Sequence, residues 1–443
     1  MNFAVVDRIG LLAGAATMIA MLALAGCGGR VAGPAPVQQA TPQAAEPEPP
    51  PSETPAAETP AALPAPSRGV RVGFLVPLSG PDAPLGQALL DAAQLALFDL
   101  ADDQFVLVPR DTAGTQDGAA AAAEAAIVQG VRLIIGPLFG AATPIVAERA
   151  RTANVNVLSF SNDRTIAGGG VFILGLAPPQ QVTRVVGYAR SHGISRFGAL
   201  LPDSAYGYVI EDALLRATSD GAQVTSVERY PQNGDAAPAA RRVAAYDARH
   251  ANLVAQRRAL EASNDDVSRE ALRRLRNVET AGDFPYEAIM LPEFGNRLTA
   301  VAPLLPYFDL DVAQVRVLGT ALWDDPRVRR EASLHGAWFA APPPEARADF
   351  VRRFRETYGR EPPRLATIAY DATALAAVLA RRAGGADFSQ TALTNPAGFA
   401  GLDGLFRLLP DGSNERGLAV LEVRREAFRT ISPAPESFER PTE

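Results

Sequence analysis

Residues Val70–Leu100 read VRVGFLVPLSGPDAPLGQALLDAAQLALFDL, and this stretch decides the fold class. Val70–Val76 is a short β-rich run, Pro77-Leu78-Ser79-Gly80 is a turn, and Pro84–Leu100 repeats apolar residues at helical spacing through Leu89, Ala93, Ala96 and Leu100. The same unit recurs outward along the chain. The patterning predicts strand Phe105–Val108, helix Gln116–Gln129, strand Leu133–Ile135, helix Thr143–Thr152, strand Val155–Ser159 and a further run at Val171–Leu174. A second series follows, with helix Val182–Ser191, strand Phe197–Leu201, helix Ala205–Ser219, strand Gln223–Val227, strand Ala288–Leu291, a helix from Arg297 and strand Val315–Leu318. Strands alternating with helices build parallel sheet covered on both faces, because each right-handed crossover lays its helix against the sheet. Two successive series predict an α/β protein of two doubly wound lobes.

Upstream of this region the composition changes twice. Arg8 precedes an apolar run from Ile9 to Ala25, which is shorter than the roughly 20 apolar residues a permanent span needs. A charged start, a short apolar stretch and small residues before a cut site describe an export signal. Leu24-Ala25-Gly26-Cys27 resembles the lipobox of bacterial lipoproteins, which implies cleavage before Cys27 and lipidation of its sulfur; Gly28 resembles the outer-membrane sorting pattern. Cys27 is the only cysteine, so no intramolecular disulfide forms. From Arg30 to Ser67 the chain is rich in Pro, Ala, Glu and Thr, with too little apolar surface to offset the entropy of ordering. Extended at about 3.1 Å per residue, such a tether reaches on the order of 100 Å.

The formal charge of −7 argues against nucleic acid as a partner, since phosphate neutralisation needs a basic face. Nor does the chain present a catalytic motif. His192, His250 and His335 are scattered, lysine is absent, no G-x-S-x-G elbow occurs, and Gly168-Gly169-Gly170 does not open a helix. Asp411-Gly412-Ser413-Asn414 lies between the apolar runs Leu405–Leu409 and Leu418–Val423 and predicts a hairpin turn. No enzyme, cofactor or metal site is expected.

Ligands of open parallel sheets sit beyond the carboxyl ends of the strands. Three turns hold that position: Leu78–Gly80, Gly136–Thr143 and Ser159–Asp163. Each can present backbone N–H groups, a seat for a carboxylate. Between the strands near Val227 and Ala288 some sixty residues intervene, and Pro238–Ser263 and Val267–Thr280 predict two extra helices broken at Asn264-Asp265-Asp266. Arg241, Arg242, Arg249, Arg257, Arg258, Arg273, Arg274 and Arg276 make this segment locally basic, either a solvated hairpin or a docking surface.

Val70–Gly86, Gly130–Phe139 (GVRLIIGPLF), Val155–Asn162 (VNVLSFSN), Asp203–Gly207 (DSAYG) and Ala369–Ala374 (AYDATA) together resemble type I periplasmic binding proteins of the leucine/isoleucine/valine class. Gly136-Pro137-Leu138, Leu318–Pro326 (LGTALWDDP), Gly336–Pro344 (GAWFAAPPP) and Pro363–Ala369 (PRLATIA) more narrowly resemble penicillin-binding protein activators, lipoproteins that stimulate peptidoglycan synthases. The resemblance implies two lobes joined by three crossovers around a ligand cleft. Its expected lining is Leu78, Ser79, Gly80, Phe139, Gly140, Ala141, Ser161, Asp163, Tyr206, Glu293, Trp323, Asp324 and Tyr370, with Glu293 or Asp324 meeting a ligand ammonium. Two positions depart from amino-acid binders of the family: Phe139-Gly140-Ala141 stands where a hydroxyl residue is usual, and Asp163 stands where threonine is usual. Asp163 is either a ligand contact or a helix N-cap or turn residue.

The expected division is a signal peptide at 1–26, the lipidated cysteine and disordered tether at 27–68, a first lobe at 69–180 plus 341–400, a second lobe at 181–340 plus 401–432 with the extra helical segment 238–280, and a tail at 433–443. The leading functional expectation is a non-enzymatic periplasmic lipoprotein, anchored in the outer membrane, that activates a penicillin-binding protein. The alternative is the substrate-binding component of an ABC transporter for branched-chain amino acids or related small ligands.

Overall fold

The computed structural model describes residues 69–263 and 265–438, so the signal peptide, Cys27 and the tether lie outside the described residues. The first lobe is built on β1 (Val70–Val76), α1 (Ala83–Leu100), β2 (Phe105–Asp111), α2 (Gln116–Val128), β3 (Leu133–Ile135), α3 (Thr143–Thr152), β4 (Asn156–Ser159) and β5 (Val171–Ile173). Its five strands are all parallel, in the order β2-β1-β3-β4-β5. The second lobe follows with α4 (Pro178–Ser191), β6 (Arg196–Asp203), α5 (Ala205–Thr218), β7 (Gln223–Pro231), α6 (Ala237–Val243), α7 (Tyr246–Ser263), α8 (Asp266–Leu275), β8 (Ala288–Met290), α9 (Gly295–Val301), α10 (Leu304–Tyr307), β9 (Arg316–Gly319) and β10 (Trp338–Ala341). The chain then returns to the first lobe as α11 (Pro344–Tyr358), α12 (Ala366–Ala380), α13 (Gln390–Leu393) and the small antiparallel sheet β11 (Phe399–Gly401), β12 (Gly404–Leu408), β13 (Asn414–Arg416). It ends on β14 (Ala419–Val423) and β15 (Phe428–Ser432), which complete a seven-stranded second sheet, β15-β14-β10-β9-β8-β6-β7, with two antiparallel pairings at one edge.

Local sequence explains the element ends. Thr115 caps α2 by accepting from the Gly118 amide, and Ser204 caps α5 by accepting from Gly207. Gly359, in the left-handed region at φ 69, closes α11. Each sheet is buried on both faces. In the first lobe α1 and α12 cover one face around Phe74, Leu89, Leu133 and Ile368, and α2 and α3 cover the other around Leu75, Ile134 and Val146. In the second lobe the faces hold Leu200, Tyr286 and Trp323 on one side and Val186, Phe197 and Leu318 on the other. The chain passes between the lobes at 174–177, 342–343 and 417–418, giving three crossovers.

The structure departs from the sequence reading in several places. Helix α4 starts at Pro178 rather than Val182, because a proline in the first turn forfeits no helical hydrogen bond. Residues 237–275 form three helices, since Ala245 adopts φ 49 and breaks the first. The Asp411–Asn414 turn pairs β12 with β13, whereas Ala419–Val423 leaves to pair with β10 in the other sheet. Residues 401–432 are expected in the second lobe; β14 and β15 join its sheet, whereas Phe406 and Leu408 of β12 are buried in the first lobe's core. The basic character of the extra helices is largely consumed internally: Arg241, Arg242, Arg273 and Arg274 pair with Asp247, Glu228 and Glu270, while Arg249 and Arg257 donate to backbone carbonyls.

Two glycines give a stability test. A Cβ on Gly198 in β6 would sit 2.6 Å from the Tyr286 ring, so Gly198→Ala is expected to cost roughly 1–3 kcal/mol through overpacking. Gly187 lies inside α4 with nothing within 4 Å, so Gly187→Ala is expected to gain about 0.5–1 kcal/mol. Thermal melts of both variants check the opposite signs.

Candidate functional site

A cavity of about 460 Å³ opens between the lobes, within the usual range for small-molecule sites of roughly 300–1,000 Å³. The first lobe supplies Leu138, Phe139 and Gly140 after β3, Phe160, Ser161 and Asn162 after β4, and Arg364, Leu365 and Ile368 at the start of α12. The first crossover supplies Gly175 and Leu176; the second lobe supplies Pro178 and Gln181 of α4, Tyr206 of α5, and Ala321 and Leu322 after β9. The walls therefore come from the carboxyl ends of strands in both lobes, where parallel sheets leave a crevice.

Packing fixes the wall. Gly140 runs close to Ser161: a Cβ there would lie 2.8 Å from the Ser161 Oγ, so the loop that lacks a hydroxyl also leaves room for one from the neighbouring strand end. The Ser161 Oγ accepts from the Asp163 amide at 3.1 Å. Gln181 ties α4 to the first crossover and to the turn after β9, its Nε2 donating to the Leu176 carbonyl at 3.1 Å and its Oε1 accepting from the Ala321 amide at 2.8 Å. The Tyr206 hydroxyl sits 3.1 Å from Thr320 Oγ1, and burial pushes its phenol up to about 12, so it stays protonated at physiological pH.

Arg364 is the charged residue of this wall, and it joins the lobes. Its Nε donates to Asp324 Oδ2 of the second lobe at 3.1 Å; its Nη1 donates to Asp403 at 2.8 and 3.1 Å and to Thr367 Oγ1 at 2.9 Å. Burial opposes the charge, but Asp403 and Asp324 outweigh it and hold the guanidinium above its ordinary pKa. Arg347 of α11 lies in the field of the same two carboxylates, its pKa lowered by burial and by Arg364.

Of the residues expected in the cleft, Phe139, Gly140, Ser161 and Tyr206 line the cavity. The others do not, each for a visible reason. Leu78 packs half-buried against the first lobe's core, and Ser79, Gly80 and Ala141 are exposed beside the wall residues in sequence. Asp163 caps the 3-10 turn Arg164–Ile166, accepting from the Thr165 amide and hydroxyl at 2.9 and 2.7 Å. Glu293 is buried and accepts from the Tyr230 hydroxyl at 2.5 Å, so its carboxylate is already engaged. Trp323 is fully buried, donating its Nε1–H to the Glu293 carbonyl at 3.0 Å. Asp324 binds Arg364 instead of a ligand ammonium, and Tyr370 points to Asp99, its hydroxyl donating at 2.7 Å. The sequence reading missed Arg364 and the apolar wall around it. A lone arginine directly before the buried, alanine-rich α12 was the available signal, since a buried cation demands carboxylates. The three histidines each contact a backbone carbonyl, of Tyr188, Glu279 and Arg329. Among the described residues no group of three or more His, Cys, Asp or Glu side chains is placed to hold a metal.

Two predictions follow from these contacts. Arg364→Met leaves the wholly buried Asp403 without its cation and is expected to cost roughly 3–5 kcal/mol, whereas Arg364→Met with Asp403→Leu recovers most of it; denaturant titrations compare the two. Asp111 accepts from the amides of Leu78, Ser79 and Ala113 at 2.7, 3.2 and 2.7 Å, and the Ser79 side chain together with these amides holds its pKa below the usual range. A depressed folded pKa gives stability above the unfolded pKa that is lost as pH falls through the folded value, so Asp111→Ala should melt below wild type near neutral pH and converge with it as pH falls through the lowered Asp111 value.

Comparison with known proteins places this geometry. A family model described as periplasmic binding protein matches residues 69–427. An uncharacterized protein of Rickettsia prowazekii is 26% identical over 168 residues, which is 38% of this chain and 45% of that protein, so the chain spans about half the length of that curated relative. Among solved structures, a branched-chain amino acid ABC transporter protein from Rhodospirillum rubrum aligns with TM-score 0.64 at 17% identity, covering 82% of this chain and 100% of the other. An ABC transporter substrate-binding protein from Sphaerobacter thermophilus aligns with TM-score 0.60 at 17% identity, over 83% and 98%. The branched-chain amino acid transporter substrate-binding protein LivJ from Streptococcus pneumoniae, in complex with isoleucine, aligns with TM-score 0.53 at 19% identity, over 82% and 100%.

Proposed function

This chain belongs to the periplasmic binding protein family, a family of ligand binders rather than enzymes, and on that premise we propose that it is a small-molecule receptor working as the substrate-binding component of an ABC transporter. The observation that carries this reading is the cavity walled by both lobes at the strand ends. A molecule seated there touches Phe139 and Phe160 of one lobe and Tyr206 and Leu322 of the other, so its binding energy depends on how the lobes stand, which is the basis of hinge closure. The similar solved structure of LivJ from Streptococcus pneumoniae is in complex with isoleucine, a small molecule with an apolar side chain. The lipobox at Leu24–Cys27 supports export and anchorage at Cys27, and Gly28 supports the outer membrane.

One observation favours a second reading, activation of a penicillin-binding protein. The segments that resemble those activators, Leu318–Pro326 and Pro363–Ala369, contain Asp324 and Arg364, the two partners of the pair that joins the lobes. On this reading the pair sets the interlobe angle that a synthase recognises.

Thermal melting across a panel of amino acids, aromatic acids, alcohols and muropeptides, run beside capture of purified peptidoglycan synthases, separates the two. The receptor reading expects a ligand to stabilise the protein by about 2.7 kcal/mol at a hundredfold excess over its Kd, with no synthase retained. Synthase capture with a flat melting panel would replace it by the activator reading.

A further inference from the structure

We propose that the interlobe cavity takes an uncharged, largely apolar small molecule, because Asp324 and Asp403 neutralise the guanidinium that would otherwise pair with a ligand anion. This rests on the receptor reading above and narrows its ligand class. Among the described residues of the wall, Arg364 alone is charged. Its Nε is engaged by Asp324 at 3.1 Å and its Nη1 by Asp403 at 2.8 Å, while its buried Nη2 has no hydrogen-bond partner among the described residues and is left to meet a neutral ligand oxygen. Arg347 lies in the field of the same two carboxylates and of Glu361, so the guanidiniums here are matched by acidic groups and leave no positive excess to hold an anion.

Two of the three amide seats are filled in the same way. The turn after β1 gives its Leu78 and Ser79 amides to the carboxylate of Asp111. The turn after β4 gives the Ser161 amide to Ser159 Oγ at 3.3 Å and the Asp163 amide to Ser161 Oγ at 3.1 Å. An ammonium fares no better, since no wall residue is acidic and Glu293 is engaged by Tyr230. A zwitterion would bury an ammonium without a counter-charge, which a desolvated site strongly disfavours. The polar wall groups that remain are uncharged: Ser161, Asn162 and Tyr206. They suit a hydroxyl or carbonyl on an aromatic or branched aliphatic body.

The test uses two matched series that share a carbon skeleton and differ in charge: phenylalanine, hydrocinnamate and hydrocinnamyl alcohol; and leucine, isocaproate and isohexanol. Melting temperature and calorimetric titration are measured on the full chain and on Asp324→Asn. Wild type is expected to bind the alcohols in preference to the acids and amino acids. Asp324→Asn is expected to bind an acid at least tenfold more tightly than wild type does, because Arg364 then loses one of its two neutralising carboxylates. Leu322→Trp, which fills the cavity from its rim and leaves the charge cluster intact, should abolish the alcohol response. An acid or amino acid that binds wild type more tightly than its alcohol overturns the proposal while leaving the receptor reading in place. Survival of the alcohol response in Leu322→Trp also overturns it, by placing the site elsewhere. Silence of both series on folded wild type removes the receptor reading and this proposal together.

Discussion

Arg364 stands between carboxylates from separate stretches of the chain, Asp324 after β9 and Asp403 in the β11–β12 turn, and the arrangement of the lobe junction depends on that contact. Removing a guanidinium from water costs several kcal/mol, repaid only when its donors meet good acceptors. The network extends beyond the cavity. The amides of Leu402 and Asp403 donate to Asp371, which lies 3.7 Å from the buried Arg416, and Arg416 donates to the Leu174 carbonyl at the first crossover. Arg416 itself immediately precedes the third crossover. A chain of buried charges therefore runs along the junction where apolar packing alone would give no register.

That arrangement explains the character of the cavity. The sheets place their carboxyl ends across from one another, and the loops that follow are apolar except where they turn their polar groups onto the protein itself. Gln181 bridges Leu176 and Ala321, Asp111 collects the amides after β1, and Asp324 collects Arg364. What faces the cavity is mainly the side chains of Leu138, Phe139, Phe160, Leu322, Leu365 and Ile368. Specificity in such a site comes from shape and from a few uncharged groups rather than from ion pairing.

The alternating architecture was legible because each element carries its own period: Val70–Val76 and Leu133–Ile135 are apolar runs bounded by turns, and α1, α2 and α3 follow within one or two residues of their expected ends. The return strands were not legible. Ala419–Val423 follows a turn and an apolar run, which locally matches a hairpin, yet its partner β10 is nearly eighty residues earlier, and only tertiary packing decides between them. The site divided along the same line. Phe139, Gly140, Ser161 and Tyr206 follow strand ends, so topology alone brings them to the cavity. Glu293, Trp323 and Asp324 also follow strand ends, but their roles depend on Tyr230 and Arg364, which are distant in sequence. No single-chain pattern reveals that a polar group is already engaged.

A crystal structure of the protein grown with hydrocinnamyl alcohol decides whether the interlobe cavity is the seat of an uncharged ligand. Density for the alcohol is expected between Phe139, Phe160, Tyr206 and Leu322, with the Asp324–Arg364 pair intact. Density for the alcohol only outside this cavity, or an Asp324–Arg364 pair that opens to put Arg364 on the ligand, would contradict it.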